Sequence, residues 1–243
     1  MTALRLPPSA SPLAPLSQAD FDRIPRERLE SMAEAAMEVT SCLRALAKTK
    51  HNIVGEVLAG HGTFYEWNHY PPGDVHDPDS RSQYYYHAHA TEQRFIGEHG
   101  HFHLFVRVDP PGTAQTEATP PTHLFAIAMN SAGWPIALFT TNRWVTGEHW
   151  RSAAEVIKLL DPFAIDHTKP NWALNRWITA MAKLFHPQLV RLLEQRDLSV
   201  SQHEAAHPDR DVFEDRALEV CSLAWIDTGR QIEDVKRAIL RAT

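Results

Sequence analysis

Five histidines in two short segments offer the clearest chemistry in this sequence. His87 and His89 lie two residues apart, and His99, His101 and His103 repeat that spacing shortly afterwards. In an extended strand, residues two apart point to the same face, so each segment presents its imidazoles together. Neutral imidazole is the commonest metal ligand among protein side chains. The spacing therefore predicts a metal site built from two strands.

An antiparallel hairpin of the two segments brings these imidazoles together. If His87 opposes His103, then His89 opposes His101, and directly opposed Cβ atoms lie about 5 Å apart. The alternate positions of both segments are mostly apolar, which predicts a buried opposite face and disfavours a one-residue slip. Glu98 is the nearest carboxylate in sequence. The predicted metal ligands are His87, His89, His101, His103 and Glu98.

The type of metal follows from the type of ligand. Imidazole suits zinc, copper and iron, whereas magnesium and calcium prefer oxygen ligands. The predicted cofactor is therefore a transition metal ion, namely iron, copper or zinc. Glu66 and His99 are the predicted catalytic residues, because each lies on or beside a segment that can face the cluster. A proton carrier must reach its proton directly or through one water molecule.

These residues favour a metal-dependent enzyme, with an iron or copper oxidoreductase acting on a small organic substrate as the first hypothesis. A zinc-dependent hydrolase presents much the same residues. A non-enzymatic module that binds a metal, haem or another ligand is an alternative from a different class. An unliganded histidine network or an outward polar surface would explain the same spacing without any cofactor.

A separate histidine motif matches the HExxH pattern of zinc metalloproteases. His203, Glu204 and His207 have the spacing in which two histidines one helical turn apart bind zinc. The flanking residues are polar, however, and Pro208 disfavours helical geometry at His207. We therefore disfavour the peptidase hypothesis.

The arrangement of secondary structure predicts an α+β fold, with an antiparallel β-sheet core flanked by an N-terminal helix and a C-terminal helical segment. Five prolines among small residues indicate a flexible arm at residues 1–25. We expect a single α+β domain over residues 26–243. Its parts are a helix at 26–50, a sheet at 53–141 and a helical segment at 148–240.

Within these parts, hydrophobic periodicity and turn residues predict individual elements. Pro187 should kink or divide the longest helix. The predicted strands are residues 53–58, 63–67, 83–89, 100–108, 123–129 and 135–141, with a polar loop at 71–81. The predicted C-terminal helices are residues 150–160, 171–195, 212–226 and 227–240.

Composition limits the partners. The formal net charge is −6, which argues against nucleic-acid binding. No run approaches the ~18 apolar residues of a membrane span, and the first residues lack a signal-peptide core. Cys42 and Cys221 lack a CxxC partner, which is typical of a reducing compartment. We expect a cytoplasmic protein with a small-molecule substrate, and the oligomeric state stays open.

Two resemblances to known families arise from these segments. Residues 83–107 and 134–150 are similar to members of an uncharacterised bacterial family, which implies a bacterial origin but no activity and no catalytic residue. His87-x-His89 resembles the opening of the cupin metal motif, which places a Glu four or five residues later. Glu92 lies only three residues after His89, and a helix-rich second half does not fit a cupin jelly roll.

Overall fold

The computed structural model describes residues 12–108 and 120–242. Within these ranges, three helices precede five consecutive strands. Four further helices follow, and then a sixth strand and an eighth helix. A single 3₁₀ turn, Thr91–Gln93, lies between the second and third strands. The elements are α1 (Gln18–Phe21), α2 (Arg26–Lys48), α3 (Ile53–Leu58), β1 (Tyr70–His76), β2 (Ser82–His87), β3 (Gly100–Val106), β4 (Thr122–Met129), β5 (Pro135–Thr141), α4 (Arg143–Thr146), α5 (Ala153–Leu160), α6 (Trp172–Leu184), α7 (His186–Ala206), β6 (Val220–Trp225) and α8 (Thr228–Arg241).

All six strands form one antiparallel sheet in the order β1-β2-β3-β4-β5-β6. The first five strands follow one another along the chain, whereas β6 returns to pair with β5 after helices α4 to α7. This confirms the predicted α+β class with its antiparallel sheet and flanking helices. No helix in the two described ranges is both long enough and apolar enough to cross a membrane.

One face of the sheet packs against the helices and forms the main core. α2 buries Leu29, Met32, Ala36 and Val39 along one stripe, and these residues recur at the spacing of a helix face. On the sheet, alternate strand residues join the same core, because side chains two apart share a face. Burying one large apolar side chain contributes about 1.5–3 kcal/mol. The opposite face of the sheet carries the histidines.

The pairing of β2 with β3 differs from the predicted register by two residues. His87 pairs with His101, and Tyr85 pairs with His103, so the predicted pairing of His87 with His103 is wrong. A slip of two residues leaves every side chain on its original face, and the alternation of polar and apolar residues cannot detect it. The predicted histidine face and apolar face are therefore both present.

Gly100 holds this register because β2 passes too close for any side chain there. A Cβ atom at Gly100 would lie 2.5 Å from the His87 carbonyl oxygen and 2.7 Å from the Tyr86 hydroxyl. We expect Gly100→Ala to lower the free energy of unfolding by about 1–3 kcal/mol, since packed backbone must move. Urea denaturation measures this change. Gly55→Ala is the control, because its Cβ would meet nothing closer than 3.5 Å; equal effects of the two variants would contradict the steric explanation.

Two predicted strands in the first half are wrong. Residues 53–58 form helix α3, because the Asn52 side chain accepts a hydrogen bond from Gly55 N and caps a helix there. Residues 63–67 form no strand. Conversely, Tyr70–His76 lies within what the sequence predicted as mainly loop, yet it forms the edge strand β1. An edge strand tolerates the prolines that follow Tyr70, since one side of it needs no ladder hydrogen bonds.

The C-terminal half also departs from the predicted helical segment. Val220–Trp225 is strand β6 rather than part of a helix, because a short apolar run satisfies either structure until a partner strand is present. The predicted break near Pro187 is confirmed, since α6 ends at Leu184 and α7 begins at His186.

The N-terminal stretch is packed where the structure describes it. Leu16 and Phe21 are buried, and Leu13 N donates to the Leu223 carbonyl. Residues 12–25 are therefore docked on the domain, in contrast to the flexible arm predicted over residues 1–25. Residues 1–11 of that predicted arm lie outside the described residues.

Candidate metal centre

Three histidines converge on the sheet face that is turned away from the main core. His87 ends β2, and His101 and His103 lie on β3. One ring nitrogen of each lies within 4.8 Å of the others, and the three residues are only 7%, 2% and 0% exposed. Buried polar groups normally have hydrogen-bond partners. The partners of each ring therefore decide which nitrogens remain available.

A buried carboxylate orients His101. Its Nδ1 donates to Glu98 Oε1 over 2.5 Å, and the other carboxylate oxygen accepts from Phe95 N over 2.8 Å. Burial alone raises the pKa of Glu98, but the electrostatic attraction of His101 and these hydrogen bonds outweigh it, so the pKa is lowered. Glu98 is thus an anion that holds the proton of His101 on Nδ1. The Nε2 lone pair of His101 is left facing the cluster.

His123 orients His103 in the same way. His103 Nδ1 lies 3.0 Å from His123 Nε2, and the His123 ring also hydrogen-bonds the backbone of Phe125 in a manner that favours the protonated ring. The His123 ring therefore donates to the Phe125 carbonyl, and its Nε2 accepts from His103. His103 Nε2 has no hydrogen-bond partner among the described residues, although it is buried.

Burial keeps three of these imidazoles, those of His87, His103 and His123, neutral. Burial, followed by the charges of neighbouring histidines, lowers the pKa of His87 and that of His103 well below the ordinary value. Burial and the charge of Arg196 lower the pKa of His123 to about 3. Neutral imidazole is the form that binds metals. Protons therefore compete weakly for these nitrogens near neutral pH.

The distances suit a single ion after a small adjustment. His87 Nε2 lies 2.7 Å from His101 Nε2, which is a hydrogen-bond distance. Nitrogens that ligate a tetrahedral zinc ion at ~2.0–2.1 Å lie about 3.3 Å apart, so the two rings need to separate by less than about 1 Å. The same rings then present three imidazole ligands to the ion.

His89 and Glu98, two of the predicted ligands, lie beside the cluster. The His89 ring is 5.0 Å from that of His87 and stacks on Trp67 at 4.5 Å, while its Nδ1 is 3.9 Å from Glu219 Oε1. Burial, followed by the charge of His101, lowers the pKa of His89 to about 4. Glu98 uses both oxygens on His101 and Phe95, so it acts on the centre through His101.

The two predicted catalytic residues lie apart from the three histidines. Glu66 is 40% exposed and pairs with Arg94 Nη2 over 2.6 Å. His99 Nδ1 lies 2.7 Å from the Tyr86 hydroxyl, which belongs to the helix-facing side of the sheet. The strict alternation does not extend to His99, because β3 begins only at Gly100.

A family comparison covers this whole arrangement. A family model described as a domain of unknown function (DUF6969) matches residues 33–226. The chain belongs to this family. The predicted resemblance to an uncharacterised family is thereby confirmed, and the region shared with the family includes all six strands and the three histidines. No curated protein and no solved structure gives a significant match to the chain.

The HExxH segment lies within the same family region but departs from the helical geometry of the protease motif. His203 Nε2 donates to Asp215 Oδ2 over 2.9 Å, and this bond, followed by those from Ala217 N and Arg210, lowers the pKa of Asp215. α7 ends at Ala206, and His207 has φ −135° and ψ 62°. His207 therefore lies outside the helix, as expected from Pro208, although its ring is 4.6 Å from that of His203.

His123 and His69 are outside the predicted set of ligands, although the sequence places His123 at the start of a later predicted strand and His69 in a loop that could cover the histidine face. A bulge between Leu104 and Phe105 sets the β3–β4 register near His123, and this irregularity carries no signal in the histidine spacing. His69 lies in the loop before β1, and its ring is 5.8 Å from that of His87. Only the fold brings these two rings to the histidine face.

We expect Glu98→Gln to weaken metal binding about 10- to 100-fold, because loss of an outer carboxylate makes His101 a poorer and less fixed ligand. Competition with a chromophoric zinc chelator measures the Kd. Glu92→Gln is the matched control, since Glu92 is an exposed carboxyl in the adjoining 3₁₀ turn. An unchanged Kd for Glu98→Gln would show that Glu98 does not support the centre.

Proposed function

We propose that this protein is a metal-dependent enzyme in which His87, His101 and His103 hold one transition metal ion. The reaction is the oxidation of a small organic substrate, with iron or copper at the centre. The observation that carries the proposal is the buried, unpartnered Nε2 of His103 beside two further imidazole nitrogens. This arrangement calls for an electrophile at the point where the three nitrogens meet.

The unpaired, buried Nε2 of His103 is energetically costly. A buried acceptor without a partner costs about 1–3 kcal/mol, and Glu98 and His123 hold the tautomers that leave nitrogen lone pairs facing inward. Outer hydrogen bonds of this kind are a regular feature of metal-ligating histidines. A metal ion would give the unpaired His103 nitrogen a partner, and it would bind the lone pairs that these hydrogen bonds turn inward.

The number of ligands favours an enzyme over a structural or storage site. Structural zinc sites are closed by four protein ligands, whereas catalytic sites use about three and keep a position for water or substrate. His89 is the nearest further imidazole, and it is stacked on Trp67 and lies near Glu219. Glu98 is likewise engaged. The centre therefore has three imidazole ligands and retains a position for a reactant.

The surroundings favour a small reactant. The three ligands are almost fully buried, the ring of Tyr85 packs against those of His87 and His103, and Trp67 stacks on the neighbouring His89. A closed, water-poor centre suits the activation of a molecule as small as dioxygen, because it protects reactive species from side reactions. Iron or copper supplies the electron-transfer chemistry. The protein itself binds the ion, orients two of the ligands through Glu98 and His123, and limits the access of water.

A zinc-dependent hydrolase is the second candidate. The specific observation in its favour is that all three ligands are imidazoles, which bind a metal in their neutral form and leave the charge of the ion uncompensated. A zinc ion in such surroundings lowers the pKa of a bound water molecule to about 7 and makes it a nucleophile. The same three histidines and the same outer partners would serve this reaction.

Elemental analysis of protein purified without a histidine tag tests the proposal. We expect about one equivalent of iron or copper per chain, and electron paramagnetic resonance of the copper-loaded protein should show coupling to imidazole nitrogens. Azide should perturb the spectrum by occupying the remaining position. Zinc as the bound metal would favour the second candidate. A protein that binds no transition metal, or one whose spectrum azide leaves unchanged, would overturn the enzyme proposal.

A further inference from the structure

A further histidine, His69, faces the three-histidine centre from the loop that precedes β1. Its ring stacks on that of Tyr85, with centroids 3.6 Å apart and planes within 9°, and it stands edge-on to the ring of His87 at 5.8 Å. Tyr85 in turn lies 5.2 Å from the ring of His103. His69 therefore contacts one proposed ligand, His87, directly, and it lies next to a second, His103, through the ring of Tyr85.

Asp74 fixes which nitrogen of His69 carries the proton. His69 Nδ1 donates to Asp74 Oδ1 over 2.9 Å, and Gln83 Nε2 donates to Asp74 Oδ2 over 2.8 Å. An imidazole that carries a single proton, on Nδ1, has a lone pair on Nε2. A histidine oriented by a carboxylate in this manner is the usual form of a general base.

The backbone of β1 is distorted so that Asp74 reaches His69. Gly73 and Asp74 both have positive φ, 83° and 59°, and the pairing with β2 is irregular between Tyr70 and Val75. Positive φ is uncommon for a residue other than glycine, and bulges frequently re-aim a side chain beside an active site. The irregular strand thus places the carboxylate between His69 and Gln83.

We propose that His69 is the proton acceptor of this site, with Asp74 as its positioning residue; this inference rests on the proposed metal-dependent function. The O–H bond of a water, alcohol or phenol held at the three-histidine centre breaks, and its electron pair stays on oxygen. A new N–H bond forms at His69 Nε2, and Asp74 stabilises the resulting imidazolium. Because the His69 side chain is 42% exposed, the proton then passes to bulk water. The substrate class is accordingly a small protic molecule.

His76 provides a matched comparison from the adjoining strand. It is an exposed histidine of β1, but its Nε2 donates to the Gly73 carbonyl over 3.1 Å. That bond occupies the nitrogen which is available in His69. Within residues 12–108 and 120–242 the His76 ring contacts none of the three proposed ligands, so replacing it should leave the centre unaffected.

The first test needs neither a metal nor turnover. Long-range ¹H–¹⁵N correlation spectra should show His69 with its proton on Nδ1 in the wild type and a mixture of tautomers in Asp74→Asn. Acylation by diethyl pyrocarbonate, followed by mass spectrometry, should modify His69 faster than His76. The rate at His69 should fall in Asp74→Asn. A protonated Nε2 in wild-type His69 would overturn the inference. An acylation rate at His69 that is the same in Asp74→Asn as in the wild type would also overturn it.

The second test uses the zinc-loaded full-length chain with 4-nitrophenyl acetate as the probe ester. We expect His69→Ala to lower the rate about 10²- to 10⁴-fold, the usual contribution of a positioned base, with partial rescue by imidazole in the buffer. His76→Ala should match the wild type. Equal rates for wild type and His69→Ala, including no turnover in either, would overturn the role of His69.

Zinc affinity, measured in parallel by chelator competition, separates the two proposals. If His69→Ala binds zinc like the wild type and loses the rate, both proposals stand. If the variants bind zinc but their rates are equal, only the role of His69 fails. If the wild type binds no transition metal at all, the proposed function fails, and the tautomer and acylation results still report on the His69–Asp74 pair.

Discussion

The double replacement His101→Ala, His103→Ala is expected to abolish metal binding at concentrations that saturate the wild type. These residues supply two of the three converging nitrogens, and a single remaining imidazole cannot chelate an ion. The replacement also removes the groups that Glu98 and His123 orient. Elemental analysis of the purified variant and titration with zinc against a chromophoric chelator measure the effect.

His203→Ala is the control for this variant. His203 belongs to the HExxH segment, where its Nε2 donates to Asp215, so its loss should leave the metal content at the wild-type value. Circular dichroism checks that the double variant retains its fold, and His101→Gln, His103→Gln offers a replacement of more similar volume. Metal retained by both folded double variants would remove the three-histidine assignment, whereas loss of metal in His203→Ala would revive a peptidase-like site.

Glu148→Gln is expected to change how stability depends on pH. Glu148 is 5% exposed, and burial raises its pKa to about 8, although the charge of Arg196 and the hydrogen bond from His123 N oppose the shift. Its other oxygen, Oε1, has no hydrogen-bond partner within the described part of the chain. The carboxyl group is therefore protonated in the folded protein at neutral pH and ionised in the unfolded chain.

The direction of the effect follows from proton binding. Between pH 4.5 and 8 the folded state holds a proton that the unfolded chain has lost, so this group's contribution to the free energy of unfolding falls by about 1.4 kcal/mol per pH unit. The contribution is fully present below pH 4.5 and is lost as the pH rises through 8. Glutamine has no proton to lose, so the variant lacks this dependence.

Urea denaturation at pH 6 and pH 8 measures the difference between the two proteins. From pH 6 to pH 8, we expect the free energy of unfolding of Glu148→Gln to rise by about 2–3 kcal/mol relative to that of the wild type. Contributions from the histidines cancel in this comparison. Glu204→Gln, at an exposed position on α7, is the control for removing a carboxyl group. A difference between wild type and Glu148→Gln that stays constant with pH would show that Glu148 is ionised in the folded protein.

Alternation along the chain predicted the face on which the histidines lie. The spacing of His87, His101 and His103 and the apolar residues between them are local properties of extended backbone, and they hold in any register of the same parity. For the same reason the α+β class and the main helices followed from hydrophobic periodicity. The prediction of a transition metal came from the chemistry of imidazole, and the proposed function includes such a metal.

The sequence by itself thus determined the residue types, the face that they share and the class of fold. Tertiary structure decided the register of β2 and β3, which differs by two residues from the predicted one, and the pairing of β6 with β5. It also decided the partners of the histidines, namely Glu98 for His101, His123 for His103 and Asp74 for His69. These features depend on loops, bulges and contacts between segments that are distant along the chain. Hydrophobic periodicity reports only whether a side chain is turned inward or outward, so it cannot say which inward side chain meets another.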